Sequence, residues 1–212
     1  MIAVLDYGIG NLRSAERALR HLGADARLVT DRADAEGATG VVLPGVGAFG
    51  ACATALRRSG LDQVAADALE GGLPFLGICV GLQLLYEGSA ESPGTPGLGA
   101  LAGTVGPLAP GVKRPQMQWN RLRRRPRRPQ GLLGGLEDEP WVYFVHSFAP
   151  PDGDDVVATC DYGGEVAAAV ERGPLWGTQF HPEKSGTTGL AILANFVARC
   201  ERREGAVAAS ER

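Results

Sequence analysis

Short apolar runs alternate along the chain with stripes of apolar residues at helical spacing, as in a sheet buried on both faces and covered by amphipathic helices. Ile2 to Asp6 predicts a first strand, and Leu12, Ala15, Leu19 and Leu22 predict a helix running to about Leu22. Ala26 to Val29 and Gly40 to Leu43 predict two more strands, with a weak helix between them over Thr30 to Thr39. Helices are predicted over Ala51 to Arg58 and Leu61 to Glu70, the second burying Leu61, Val64, Ala65, Ala68 and Leu69. Leu73 to Ile78 is almost wholly apolar and predicts a central strand; Leu82, Leu85 and Tyr86 then recur at helical spacing.

The second half changes character. Ser89 to Pro96 predicts a turn-rich loop, and strand-like pieces resume at Leu98. Trp141 to Phe148, Val156 to Cys160, Val166 to Val170 and Leu175 to Phe180 predict strands separated by Pro, Gly and Asp turns. The last helix is predicted from Leu190 to about Glu201, with Leu190, Leu193, Ala194 and Val197 inward, followed by a frayed tail over 202–212. The expectation is one domain over 1–201, an α/β fold with an open, twisted, mostly parallel central sheet. Helices cover both faces, and additional antiparallel strands lie in the C-terminal half.

Composition supports a full core: 212 residues with 44% hydrophobic content. Cys52, Cys79, Cys160 and Cys200 show neither paired nor metal-ligand spacing, so free thiols, a reducing cytoplasmic setting and no metal or cofactor are expected. The N-terminus lacks a basic region ahead of its short apolar run, and no apolar run is long enough to span a bilayer. The net charge of -3 conceals eight basic residues and no acid between Lys113 and Arg128. Pro115, Pro126 and Pro129 argue against a basic helix for nucleic acid. The segment reads as a solvated loop or as contact with an acidic partner or a phosphate, and Trp119 inside it is either a notable aromatic among arginines or a cap on the core.

Candidate chemistry centres on Cys79. Gly77 and Gly81 sit two before and two after it, the spacing of a strained strand-to-helix elbow whose crowded neighbours lack a Cβ. A cysteine there meets unpaired amides and the positive end of a helix dipole, which favour an exposed, reactive thiolate. The Val80 amide is placed to face an oxyanion on a carbonyl attacked by Cys79. A buried structural cysteine between packing glycines is the other reading. Pro44-Gly45-Val46-Gly47 follows the third strand and is either a second oxyanion donor or an ordinary turn. His181 ends the last strand and Glu183 lies two residues on, the same side in an extended segment, so that Glu183 can orient the imidazole. His21 and His146 read as structural.

Taken together, Gly77 to Gln83, His181-Pro182-Glu183 and Pro44 to Gly47 resemble the class I glutamine amidotransferases, over nearly the whole chain. The resemblance implies Cys79 as nucleophile on the glutamine carboxamide, His181 as acid and base, and Glu183 as its orienter. It also implies Val80 and Gly45-Val46-Gly47 around the oxyanion, and Gln83 with the backbone near Ser147 and Phe148 around bound glutamine. Asp6 to Leu12, Pro115 to Asn120, Tyr143 to Ser147 and Phe180 to Ser185 are similar to one branch of the family in particular, which serves histidine biosynthesis. Its members work as a heterodimer with a (β/α)8-barrel cyclase subunit. Asn11, Met117, Trp119, Asn120, Tyr143 and Lys184 match positions at that junction. Gln118 stands where this branch usually has glycine; if that position needed positive φ, it would be strained by about 1 to 2 kcal/mol.

Three rivals compete with this reading. A glutaminase serving anthranilate, aminodeoxychorismate or pyridoxal phosphate synthesis is disfavoured by Asp6 to Leu12 and Phe180 to Ser185. A catalytically silent subunit is disfavoured by the intact Cys79, His181 and Glu183. A cysteine hydrolase on a similar sheet is disfavoured by Gln83. Ammonia released into water would be protonated and lost as a nucleophile, so an acceptor site on another chain is expected.

Overall fold

A computed structural model describes residues 1–126 and 131–210, giving the backbone alone at 204 and 206–210. The chain runs β1 (Ile2–Leu5), α1 (Leu12–His21), β2 (Ala26–Val29), β3 (Gly40–Gly45), α2 (Phe49–Ser59), α3 (Leu61–Glu70), β4 (Phe75–Cys79) and α4 (Val80–Gln83). It continues through β5 (Tyr86–Ser89), β6 (Leu101–Pro107), β7 (Gln116–Arg121), β8 (Arg123–Arg124), β9 (Trp141–His146) and β10 (Phe148–Ala149). Then come β11 (Val156–Asp161), β12 (Glu165–Arg172), β13 (Leu175–Thr178) and α5 (Gly186–Ser210).

Eight strands form the main sheet in the order β2-β1-β3-β4-β13-β12-β11-β8. The first five are parallel, and β12, β11 and β8 add antiparallel to the far side. From β1 the chain steps outward to β2, whereas from β3 it steps the opposite way to β4. Right-handed crossovers therefore place α1 and the α2–α3 pair on opposite faces, and α1 packs beside α5. This is the expected mostly parallel sheet with antiparallel additions. Two smaller sheets, β10-β6-β5 and β7-β9, lie outside it.

Several local expectations change. The helix after Cys79 stops at Gln83, and Tyr86 opens a strand. Leu82, Leu84, Leu85 and Tyr86 are all buried, and in a segment enclosed on every side apolar spacing carries no period. The weak helix over Thr30 to Thr39 is a single 3-10 turn, Ala33–Ala35. Helix α5 begins at Gly186, four residues early, and runs through Ser210 rather than fraying from 202. Alanine-rich sequence favours helix, and Arg203 ties it to the body by donating to the carbonyls of Gly72 (2.6 Å) and Gly71 (3.0 Å). Its buried face is Ile192, Leu193, Phe196, Val197 and Cys200; Leu190 and Ala194 are only partly covered.

The basic segment departs most from expectation. Pro115 and Pro126 bracket strands rather than a solvated loop, since β7 pairs with β9 and β8 closes the edge of the main sheet on β11. Arg121 and Arg123 lie beside Glu139, and Arg125 bonds Asp152 and Glu165. Local acids thus meet the charge, although such exposed pairs stabilise little. Arg127, Arg128 and Pro129 lie outside the described residues. Gln118 sits within β7 opposite Phe144 and outside the positive-φ region, so the anticipated strain is not there. The four cysteines are free and buried. Among the described residues no helix is long and apolar enough to cross a membrane, and no cluster is fit to hold a metal.

Candidate active site

Parallel pairing brings distant residues to one edge. β1, β3, β4 and β13 are adjacent and aligned, with Gly45 opposite Cys79 and Thr178 opposite Ile78. Their C-terminal ends therefore deliver Tyr7, Gly45, Cys79 and Gln179–His181 to the same rim, where open α/β sheets bind their ligands.

Cys79 is the residue before α4, with φ 56° and ψ -111°. That left-handed conformation is costly for a residue with a Cβ, of order 1–3 kcal/mol. It is held by close packing. A Cβ at Gly81 would lie 1.7 Å from the Leu43 carbonyl oxygen, and one at Gly77 2.8 Å from the Leu82 backbone. The elbow is thus as the spacing predicts, but its thiol is not exposed: Cys79 is 3% accessible, roofed by the Val145 strand. Because the strain resides in the backbone, Cys79→Gly is expected to be more stable than Cys79→Ala by about 1 kcal/mol, the reverse of the usual order. Urea unfolding of the two variants checks this; a more stable alanine variant would show that the elbow is unstrained.

His181 Nδ1 lies 2.8 Å from Glu183 Oε1. The pair forms because Pro182–Lys184 makes a 3-10 turn that folds Glu183 back under the ring, not because the segment stays extended. Both side chains are 1% exposed. Burial alone would push the imidazole down, but the charges of Cys79 and Glu183 and the hydrogen bond to Glu183 outweigh it and raise it to about 9. Burial likewise opposes ionisation of Glu183, yet His181 and then Asn11 hold its carboxyl below the usual range. His181 Nε2 is buried and makes no hydrogen bond of its own. It is free for a proton to or from a reacting group, a contact that often tightens only in the complex.

The His181 backbone is braced from β9. His181 N–H donates to Tyr143 C=O (3.0 Å), Tyr143 N–H donates to Ser185 Oγ (3.0 Å), and Ser185 Oγ–H donates to His181 C=O (2.6 Å). Asn11 reaches this pair directly, its Nδ2 donating to Glu183 Oε1 at 3.0 Å. Asn11, expected only at a junction, therefore touches the carboxylate that is bonded to His181.

A cleft of about 260 Å³ opens over Cys79, lined by Val46, Gly47, Val80, Gln83, Ser147, Phe148 and His181. Glu91 and His146 also line it, and neither was expected there. Glu91 lay in a turn-rich stretch that carried no chemical pattern. Its Oε2 accepts the Phe49 amide at 2.7 Å, leaving an anionic wall. His146, read as structural, donates its Nδ1–H to Phe148 C=O (2.8 Å), and burial drives its pKa down to about 4, so its imidazole is neutral. Gly45 belongs to β3 itself, and Gly47 uses φ 83° to leave the strand. Gln179, also missed, contacts the Cys79 sulfur at 3.6 Å. A chain with nucleophile, imidazole, carboxylate and amide donors around one cleft can carry out acyl transfer through a thioester.

The junction candidates gather on the outer face of the β7–β9 ribbon. Met117 and Trp119 are 62% and 48% exposed, so Trp119 does not cap the core. Trp119 meets the edge of Tyr143 at 6.1 Å, and Lys184 is exposed nearby in the chain that carries Glu183. Asn120 is instead used locally, donating to Asp161 C=O at 2.8 Å and accepting the Arg121 amide. Trp141, 48% exposed under Arg121, extends the same face and was not singled out by any motif.

Residues 3–200 match the family model described as glutamine amidotransferase class-I. The chain is 50% identical over 198 residues to "Imidazole glycerol phosphate synthase subunit HisH" of Methanothermobacter thermautotrophicus, covering 93% of this chain and 98% of that protein. It is 47% identical over 199 residues to the protein of the same name from Deinococcus radiodurans, covering 92% of each. Among solved structures it is similar to one described as a glutamine amidotransferase, with TM-score 0.73 and 23% identity over 93% of this chain and 98% of that one. PurLQS from Thermotoga maritima gives TM-score 0.69 and 21% identity, covering 95% and 97%. These structures share the fold, and the full-length family and sequence matches place the chain itself: it belongs to the class I glutamine amidotransferase family.

Proposed function

We propose that this chain is the glutaminase subunit of an imidazole glycerol phosphate synthase. It hydrolyses glutamine to glutamate and passes ammonia to a (β/α)8-barrel cyclase subunit, which forms imidazole glycerol phosphate and aminoimidazole carboxamide ribotide in histidine biosynthesis. The observation that carries the chemistry is the convergence of Cys79, the buried His181–Glu183 pair and an amide-lined cleft on one sheet edge. The names of the full-length relatives support the choice of pathway.

In this reading Cys79 attacks the carboxamide carbon and forms a C–S bond, while the Val80 amide and the Gly45-Val46-Gly47 loop take the oxyanion. Protonated His181 gives its proton to the departing nitrogen, so the C–N bond breaks and ammonia leaves. Water then adds to the thioester, surrendering a proton to His181, and the C–S bond breaks to restore the thiolate and release glutamate. Glu183, steadied by Asn11, keeps the imidazole oriented. Gln83 and the backbone of Ser147 and Phe148 hold the amino acid, and Glu91 supplies the negative charge that its α-ammonium requires. Met117, Trp119, Tyr143 and Lys184 face the cyclase, and residues 1–201 act as one catalytic domain.

The reading is tested by incubating the chain, with its partner, with a glutamine-analogue electrophile and mapping the adduct by mass. Selective labelling of Cys79 is expected, although Cys52, Cys160 and Cys200 are also free. Labelling of those thiols at the same rate, or none that glutamine protects, would exclude a glutaminase.

A further inference from the structure

Gln179 follows β13, is completely buried, and is pinned through its own amide to Ala168 C=O at 2.9 Å. Its side chain lies between two groups of the proposed machinery. Gln83 Nε2 donates to Phe148 C=O (2.9 Å) and to Gln179 Oε1 (3.0 Å), and Gln179 Nε2 donates to Cys79 Sγ (3.6 Å).

The polarity of this chain of amides follows from its anchor. A backbone carbonyl can only accept, so the end of Gln83 that meets Phe148 O is its NH₂ group. The second hydrogen of that group needs an acceptor, which makes the facing atom of Gln179 its oxygen. The remaining end of Gln179 is then its NH₂, directed at the sulfur, because a buried amide flipped the other way would set nitrogen against nitrogen.

We propose that Gln179 is a catalytic residue of the glutaminase reaction, its side-chain N–H holding the Cys79 sulfur whenever that atom carries negative charge. The proposal rests on the glutaminase reading above. Sulfur bears charge twice in each turnover: as the thiolate that adds to the carboxamide, and as the leaving group when the water-derived adduct of the thioester collapses. Between these points it is a neutral thioester sulfur, a poor acceptor. A donor at Sγ therefore favours the ionised thiol before attack and C–S cleavage after it, and leaves no bond to break in between. The same chain connects the sulfur to Gln83, so the residue that meets bound glutamine also sets the direction in which the nucleophile is held.

The titratable groups facing the sulfur are His181, which Glu183 backs, with Tyr7 after β1 and Cys52 on α2 near enough to sense its charge. None of these is altered by changing Gln179. The test follows alkylation of Cys79 by iodoacetamide across pH in the assembled enzyme, for the wild type, Gln179→Leu and Gln179→Glu. Loss of a hydrogen bond to a charged group is expected to slow alkylation on the acid side about 10- to 100-fold and to move the profile toward higher pH. Gln179→Glu, which keeps the acceptor for Gln83 but sets a carboxylate at the sulfur, is expected to move it further. Ammonia-dependent synthesis should persist in both, as a report of folding and docking.

Folded variants with the wild-type profile would overturn the proposal. For a variant that does not fold, the wild type itself decides: the Gln179 side-chain amide signals in a ¹⁵N spectrum should move with Cys79 ionisation and again on alkylation. Signals indifferent to both would overturn it. Either failure leaves selective labelling of Cys79 by a glutamine analogue untouched, so it is distinguishable from failure of the glutaminase reading.

Discussion

Cys79→Ala is expected to lower glutamine-dependent synthesis by the assembled enzyme by about 10⁴-fold or more while leaving its ammonia-dependent reaction within a few-fold of wild type. The size follows from covalent catalysis: without the nucleophile no thioester forms, and the histidine and oxyanion donors act on nothing. The selectivity follows from location. Cys79 lies inside its own chain's cleft, 3% accessible, whereas Met117 and Trp119, proposed to face the partner, project from the separate β7–β9 ribbon. The substitution keeps the left-handed φ and removes a single buried sulfur, so a modest loss of stability is expected rather than none. Parallel assays with glutamine and with ammonium salt check the split. Equal loss of both activities would show that Cys79 supports the complex rather than the chemistry.

The second large effect concerns the chain on its own. Glutamine hydrolysis by the free subunit is expected to be about 10² to 10³-fold slower than by the complex with the cyclase and its ligand, the cost of one missing oxyanion donor. The loop carries the reason. Tyr7 hydroxyl donates to Pro44 C=O at 2.6 Å, and Cys52 Sγ–H donates to Val46 C=O at 3.2 Å. The peptide planes on either side of Gly45–Val46 are thereby held, and that central plane is the one left to turn. In the β3–β4 ladder Val41 N–H donates to Pro74 C=O, and the same phase carried to the Gly45–Cys79 pair directs the Gly45 carbonyl toward the Val80 amide. In that state a carbonyl occupies the place where donors are needed.

A partner seated on the β7–β9 ribbon, as proposed, would reach the His181–Glu183 pair through short connections. Trp119 meets the edge of Tyr143, whose backbone is bonded to His181 and Ser185, and Asn11 holds Glu183. Differential contact of about 1 to 3 kcal/mol with the two loop states gives a partial shift of the equilibrium. Steady-state hydrolysis by the free chain, the complex and the liganded complex measures it. A free chain as fast as the liganded complex would refute the switch even with Cys79 confirmed as the nucleophile.

Local pattern carried much of the fold. β1, β2, β4 and α3 lie within two residues of where apolar runs and stripes put them, because each run or stripe is bounded by turn-forming or polar residues. Legibility failed where that background vanished. Leu82 to Tyr86 is apolar on every side, and the sequence offers no way to see that the helix ends and a strand begins. In the basic segment charge obscured strands whose pairing partners, β9 and β11, are distant in sequence.

The site divides in the same way. Short-range spacing marked Cys79 between Gly77 and Gly81, His181 beside Glu183, and the glycines after Pro44 as candidates, although a 3-10 turn and not an extended segment brings Glu183 to His181. Tertiary structure alone decided what these pieces meet. The adjacency of β3, β4 and β13 brings residues some hundred positions apart to one rim. It buries a thiol that its position on an elbow would leave open, places Glu91 and His146 in the cleft, and turns Asn11 onto Glu183. It also sets Gln179 against the sulfur. The physical reason is that a side chain's chemistry is set by its nearest neighbours in space, and in a parallel sheet those neighbours arrive through crossovers that no local period records.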